Sequence, residues 1–355
     1  MKILPDKIET QRWYQIPIDG CVSSTGKPYR ITLKKGTVNK LLINFVGGGV
    51  SWNEETAANP MNLRTVLKRE FYYISDVAPM NLKFMHVGIL NGKDKRNPFR
   101  DWHVLTIPYA SGDFHLGNSD YPYQDVKGKD KVLHHHGNKN VTSALEVLKE
   151  FYPQTPETIL IAGQSAGGFG CLAHAPKIAK LYPECNNITV YSEVSHLYSP
   201  LWPDIAKNIW KVNSDLLVYI KSADLVADLF RYARENTPLS IRFLHMNSVW
   251  DKELVKFMYK MNHDKKEVNP QALKEFHHSL SSTVCKLKKE IPNYYFYLTD
   301  YGKSQKDGTT SHLFSGTPKL LYSEMQDGIS LANWLHQGVG GNPADVGAKF
   351  VENNN

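Results

Sequence analysis

Thr158 to Cys171 reads TILIAGQSAGGFGC, and this stretch decides how the rest of the chain is understood. Thr158-Ile159-Leu160-Ile161 is a short apolar, β-branched run. Gly163-Gln164-Ser165-Ala166-Gly167-Gly168 follows, and then a segment with helical periodicity. Strand, tight glycine-rich turn with a central serine, then helix is the context of a nucleophile elbow. Such a turn strains the serine backbone, and its neighbours must be small so that the chains can pass. Gly163 and Gly167 meet that need. The following helix would aim its free N–H groups and positive dipole end at an anion developing beside Ser165. A bare G-x-S-x-G also fits an ordinary βα turn; the flanking strand and helix favour the elbow.

Outward from the elbow, strands alternate with helices. Lys40 to Val46 (KLLINFV) is nearly all apolar, as expected of a strand buried on both faces of a parallel sheet. It runs into Gly47-Gly48-Gly49-Val50-Ser51-Trp52-Asn53, whose bare backbone can approach a ligand oxygen closely. Residues 1 to 38 read as β-rich, with turns at Asp19-Gly20, Gly26 and Gly36. Residues 60 to 76 read as a polar connection with a short helix. Trp102 to Tyr109 is a second buried strand, ending in a Gly-punctuated loop through Gly117. An amphipathic helix spans 138 to 152, with Val141, Ala144, Leu145, Leu148 and Phe151 on one face. The helix after Ser165 reaches about Tyr182, with Pro176 kinking or splitting it.

Asn187 to Glu193 and Leu239 to Ser248 are further strands, the latter delivering Val249-Trp250-Asp251. Residues 201 to 237 read as a helical insertion that could cap the site. Helices are expected at 253 to 262 and 271 to 290, a last strand at Asn293 to Leu298, and a final helix from Leu321 to His336. The Gly- and Asn-rich tail, 338–355, reads as frayed. The alternation predicts an α/β fold, α/β-hydrolase-like, with a mainly parallel sheet and helices on both faces. No linker or repeat appears, so 1–355 reads as one domain.

Composition narrows the classes. The chain has 355 residues, 41% hydrophobic and 22% charged, which is globular. A net charge of +7 is a mild bias at this length, compatible with an anionic substrate such as a uronic-acid polymer. The basic residues are scattered and no reader motif appears, so no nucleic-acid partner is expected. No run approaches the roughly 20 apolar residues of a membrane span. The N-terminus lacks a signal-peptide core, which reads as cytoplasmic, or as secreted if a leader has been removed. None of Cys21, Cys171, Cys185 and Cys285 is in a C-x-x-C pair; two disulfides or four free thiols are allowed. His134-His135-His136 suggests metal, but adjacent side chains cannot all face one ion and no acidic ligand motif flanks them. No metal and no cofactor are expected.

Serine needs a base in hydrogen-bond reach, and the base needs an orienting carboxylate. Ser165, Asp251 and His312 occur in the chain order nucleophile, acid, histidine, with Asp251 just past a strand and His312 in the loop after the last one. The chain has 14 histidines. Of these His196, His245 and His277 compete for the base, although His245 sits mid-strand. Glu193 is the rival acid, more naturally a support for the site or a pocket residue. Asp251 also reads as the N-cap of the helix at Lys252. The oxyanion donors should be the Ala166 N–H and one from around Gly49 and Val50. Gly48, Trp52 and Glu193 complete the expected substrate contacts.

These segments together resemble the pectin acetylesterase family of pectinacetylesterase and Notum-like serine carboxylesterases. Phe45 to Asn53 (FVGGGVSWN) resembles its Gly-rich oxyanion loop. Asn97 to Gly117 (NPFRDWHVLTIPYASGDFHLG) resembles its "N-P-F…W" segment, strand and Y-C-D-G-like loop. Gly163 to Gly168 resembles its elbow, Met246 to Asp251 (MNSVWD) its acid segment, and the Ser311-His312 region, more weakly, its base segment. The resemblance spans about 40 to 315 and looks closer to uncharacterised bacterial relatives than to plant enzymes. It implies a metal-free Ser-Asp-His esterase with Ser165, Asp251 and His312 as triad and Gly49, Val50 and Ala166 as oxyanion donors. The chain departs from the family at Val50-Ser51 (Trp-Cys there) and Ala110-Ser111 (Cys-Asp there), so the family's disulfides look absent. The expected substrate is a small-molecule or carbohydrate ester, an O-acetylated sugar first. A longer acyl ester comes next, and a binding protein without turnover is the alternative of another class. The sequence leaves the oligomeric state open.

Overall fold

The structure, a computed structural model, describes residues 7–68, 70–82 and 85–351. The first six residues of the stretch read for a leader, and residues 352–355 of the expected frayed tail, lie outside the described residues.

Among the described residues twelve strands run in chain order: β1 (Trp13–Val22), β2 (Pro28–Lys34), β3 (Lys40–Phe45), β4 (His103–Ile107), β5 (Ser119–Gln124), β6 (Asp130–His135), β7 (Thr158–Gln164), β8 (Ile188–Glu193), β9 (Arg242–Ser248), β10 (Tyr294–Thr299), β11 (Glu324–Gln326) and β12 (Ile329–Ser330). Eight of them form one sheet in the order β1-β2-β4-β3-β7-β8-β9-β10. β1, β2 and β4 pair antiparallel, and every pair from β4 to β10 is parallel. The two regimes differ in sequence for a physical reason. β4 and β8 are buried at every residue and show no alternation of apolar and polar positions, because helices cover both faces of a parallel sheet. β1 is an edge strand with alternating exposure, so its residues alternate too. The result is a mostly parallel sheet with helices on both sides, an α/β-hydrolase-like fold.

Every parallel strand ends at the same edge. That edge carries the loops after β3, β4, β7, β8, β9 and β10, and it is where open α/β sheets bind ligands. The central position of β7, between β3 and β8, puts the Ser165 turn in the middle of that edge.

Several local expectations change. The β5–β6 hairpin occupies Ser119 to His135, where no element was expected. Helix Ala166–Leu181 continues through Pro176 without splitting. None of residues 201 to 237, read as a possible cap, lines the cavity beside Ser165. Helix Leu225–Glu235 packs on helix Ala166–Leu181, with Leu225, Val226, Leu229 and Phe230 fully buried. Its apolar face is spent on the core, which a lid would leave for the substrate. The expected final helix is two, Pro318–Tyr322 and Leu331–Val339, separated by the β11–β12 hairpin. Asp327-Gly328 makes that break: both residues have positive φ, as the tight hairpin turn demands. The tail is not frayed as far as it is described. Val346 pairs with Tyr297 and adds a rung to β10.

Candidate active site

Ser165 follows β7 directly and caps helix Ala166–Leu181 at φ 54°, ψ −123°. For a residue with a side chain this is strained backbone, of the kind held only where the surroundings over-determine it. The surroundings are the two glycines. A Cβ on Gly163 would lie 2.0 Å from the Gly167 carbonyl oxygen, and one on Gly167 would lie 2.0 Å from that of Phe45. The Ser165 N–H donates to the Glu193 carbonyl at 2.8 Å, tying the turn to β8. The turn is thus set by packing against β3 and β8.

Asp251 lies three residues past the end of β9 and N-caps helix Lys252–His263. Its Oδ1 accepts from the Glu253 and Leu254 N–H groups, both at 3.0 Å. Its Oδ2 faces His312 Nδ1 at 2.8 Å. Asp251 is fully buried and the His312 side chain is 17% exposed. Burial alone would push the imidazole down. The charge of Asp251, then its hydrogen bond, with Glu253 and Glu193 further off, outweigh burial, so His312 titrates above its ordinary value. The competing histidines behave differently. His245 is buried between Tyr294 Oη and Asn247 and held down to about 3 by burial. His196 is also held near 3 by burial and bonds Ser279. His277 stacks on Trp250, 4.6 Å between ring centroids.

Ser165 and His312 line one cavity of about 410 Å³. No hydrogen bond joins them; catalytic contacts of this kind commonly tighten only with substrate bound. Gly48, Gly49, Val50 and Ala166 line the cavity as well. The oxyanion assignment shifts within the glycine loop. The Val50 N–H already donates to the Tyr72 carbonyl at 2.8 Å, so it is not free for a substrate oxygen. The Gly48 and Gly49 N–H groups have no partner among the described residues. Gly49, at φ +80° with its Cβ position 1.9 Å from the Tyr72 oxygen, has to be glycine. The Ala166 N–H, in the first turn of its helix, is likewise without an intrahelical acceptor.

Two other expected contacts stand behind the wall. Trp52 is buried edge-on against Tyr72 and Phe257, and does not line the cavity. Glu193 is fully buried and also absent from the lining. Its Oε1 accepts from the Phe314 and Ser315 N–H groups at 2.5 and 3.0 Å, and its Oε2 from Tyr191 Oη at 2.9 Å. Glu193 therefore holds the loop that carries His312.

The rest of the wall was missed from sequence. It is apolar: Met61, Phe71, Ile74, Val87, Ile89 and Phe257 among others. The signal was there, as bulky apolar residues scattered without period through a connection read as polar. At the cavity base Gln164 Nε2 donates to Asn44 Oδ1 at 2.8 Å. Cys21, Cys171, Cys185 and Cys285 are all free, and burial pushes the Cys171 thiol well up, leaving it inert. One group among the described residues has metal-ligand spacing, Asp120, His134 and His136, and none of the three lines this cavity.

The pectinacetylesterase family model matches residues 20–195. The chain belongs to the pectinacetylesterase family. The matched span carries the glycine loop and the Ser165 elbow. Asp251 and His312 lie beyond it, so their roles rest on geometry. Membership implies an esterase, a hydrolase. No curated protein sequence matches the chain. Among the described residues no helix is long and apolar enough to cross a membrane.

Proposed function

We propose that this pectinacetylesterase-family protein is a serine carboxylesterase working through an acyl-enzyme. The observation that carries the reading is that a strained Ser165 and an Asp251-bonded His312 line the same cavity. His312 Nε2 takes the Ser165 proton as Oγ attacks the ester carbonyl. Asp251 holds the Nδ1–H tautomer and stabilises the imidazolium. The N–H groups of Ala166 and of Gly48 or Gly49 receive the oxyanion; one such donor is worth about 3 kcal/mol of transition-state stabilisation. The imidazolium then protonates the departing alcohol. Water, deprotonated by the same ring, releases the acid.

The family match supports an O-acetyl group on a carbohydrate as substrate. A second reading, an ester of a longer acyl chain, is favoured by the cavity itself. At about 410 Å³ it falls in the range of roughly 300–1,000 Å³ that holds drug-sized ligands. Each buried methylene contributes about 0.8 kcal/mol there, whereas an acetyl methyl leaves most of the wall uncovered.

Hydrolysis of p-nitrophenyl esters from acetate to palmitate, with Ser165→Ala beside the parent, tests both. Loss of turnover by at least about 10⁴-fold in Ser165→Ala is expected. A variant that matches the parent overturns the nucleophile. A kcat/KM maximum at acetate supports the carbohydrate reading, and a maximum at a longer chain supports the second.

A further inference from the structure

We infer that Asp120, His134 and His136 form a surface site for a borderline divalent cation, zinc first. The site is built by strand alternation. On β6 and just past it, residues i and i+2 share a face, so His134 and His136 point the same way and His135 points opposite. His135 is fully buried, with its Nδ1 at 2.8 Å from the Ser111 carbonyl oxygen. Across the hairpin, Asp120 is the direct partner of His134 in the β5–β6 register. The sequence offered no acidic neighbour because the carboxylate arrives from the other strand.

The geometry is convergent. His134 Nδ1 lies 2.6 Å and His136 Nε2 2.9 Å from the one oxygen Asp120 Oδ1. All three ligand atoms fall within 4.8 Å of one another. Tetrahedral zinc with bonds of about 2.0 Å wants its ligand atoms roughly 3.3 Å apart, so small rotations suffice. Two imidazoles and one carboxylate suit zinc, copper or nickel, and not calcium or magnesium, which take oxygen sets. Three protein ligands leave a fourth position for water. The Asp120 side chain is 60% exposed, which gives an ion a way in.

Affinity should be moderate, because the supporting shell is thin: His136 Nδ1 is buried with no partner among the described residues. Ligating histidines in tight sites donate their second N–H. An ion there would tie β5 and β6 to the start of helix Gly137–Phe151, whose N-cap position His136 occupies. The competing account is a plain pair of histidine hydrogen bonds to one carboxylate, which needs no ion.

The test is a zinc titration of the full chain after chelator treatment, read by calorimetry and by thermal unfolding. Calcium and the variants Asp120→Asn and His136→Ala run beside it, with His263→Ala as the control at a histidine outside the group, paired with Glu275. The expected result is one zinc per chain and a raised Tm for the parent and for His263→Ala, with no response to calcium. Asp120→Asn and His136→Ala should lose affinity by about tenfold or more, with ester hydrolysis unchanged in both. The inference is overturned if the parent takes up no zinc, or if those two variants bind as the parent does. Cobalt gives a readout independent of stability: visible bands of tetrahedral intensity in the parent, absent in His136→Ala, support the site, and their absence from the parent counts against it.

Discussion

Asp251 holds two structures at once with one carboxylate. Oδ1 caps a helix and Oδ2 holds His312. Asparagine caps nearly as well as aspartate, so Asp251→Asn separates the two jobs. Unfolding free energy should stay within about 1 kcal/mol of the parent, while kcat falls roughly 10³–10⁴-fold because the imidazole loses its tautomer and its countercharge. The pH profile carries the sign. In the proposed mechanism only a neutral His312 accepts the serine proton, and its pKa is raised. The parent's kcat/KM should therefore climb through a midpoint above the ordinary histidine value of about 6.5. Without the Asp251 charge burial prevails, so the midpoint of the residual activity in Asp251→Asn moves down. An unmoved acid limb would show that another group is the base.

The loop after β10 is an element with no regular structure of its own, and it depends on one buried carboxylate. Glu193 accepts two consecutive backbone N–H groups from it, two and three residues past His312. Leu313, between His312 and the clamped Phe314, takes a left-handed φ of 68°. Removing the acceptor leaves two buried donors unmatched. Glu193→Ala should cost roughly 2–5 kcal/mol of stability, measured by urea unfolding. It should also lower kcat more than it raises KM, because His312 loses its seat while the acyl wall survives. A KM-only effect would make Glu193 a substrate contact after all. Element identity followed locality here. β3, β4, β7 and β8 were readable as apolar runs, and helix Gly137–Phe151 by its face, since each is dictated by neighbours in sequence. The β5–β6 hairpin was not, because its residues alternate between a polar exposed face and a partly buried one and carry little apolar signal.

For the molecule as a whole, the cavity is the feature that would select a substrate under the proposed function, and it is assembled from distant parts of the chain. The segments 61–74, 85–90, 253–257 and 313–316 meet over the Ser165 turn. Val87 stands on this wall at 42% exposure, so a larger side chain there need not overpack the core. Val87→Trp should narrow the cavity and shift kcat/KM toward acetate in the ester series. Stability should change by no more than about 0.5 kcal/mol. An unchanged chain-length profile would place the acyl group elsewhere.

The sequence by itself settled what depends on near neighbours and on chain order. The buried parallel strands follow from continuous apolar runs, the elbow from glycines on either side of Ser165, and the placing of Asp251 and His312 at strand ends from the order of the elements. Pairing across the sheet decided the rest. Tyr72 takes the Val50 N–H, and Glu193 turns away from the cavity to hold a loop 120 residues on. Helix Leu225–Glu235 spends its apolar face on helix Ala166–Leu181, and Asp120 reaches His134 and His136 from the opposite strand. The reason is common to all four. Hydrophobic period and turn chemistry are written along the chain, whereas the use of a particular N–H, carboxylate or apolar face depends on which remote residue is packed against it.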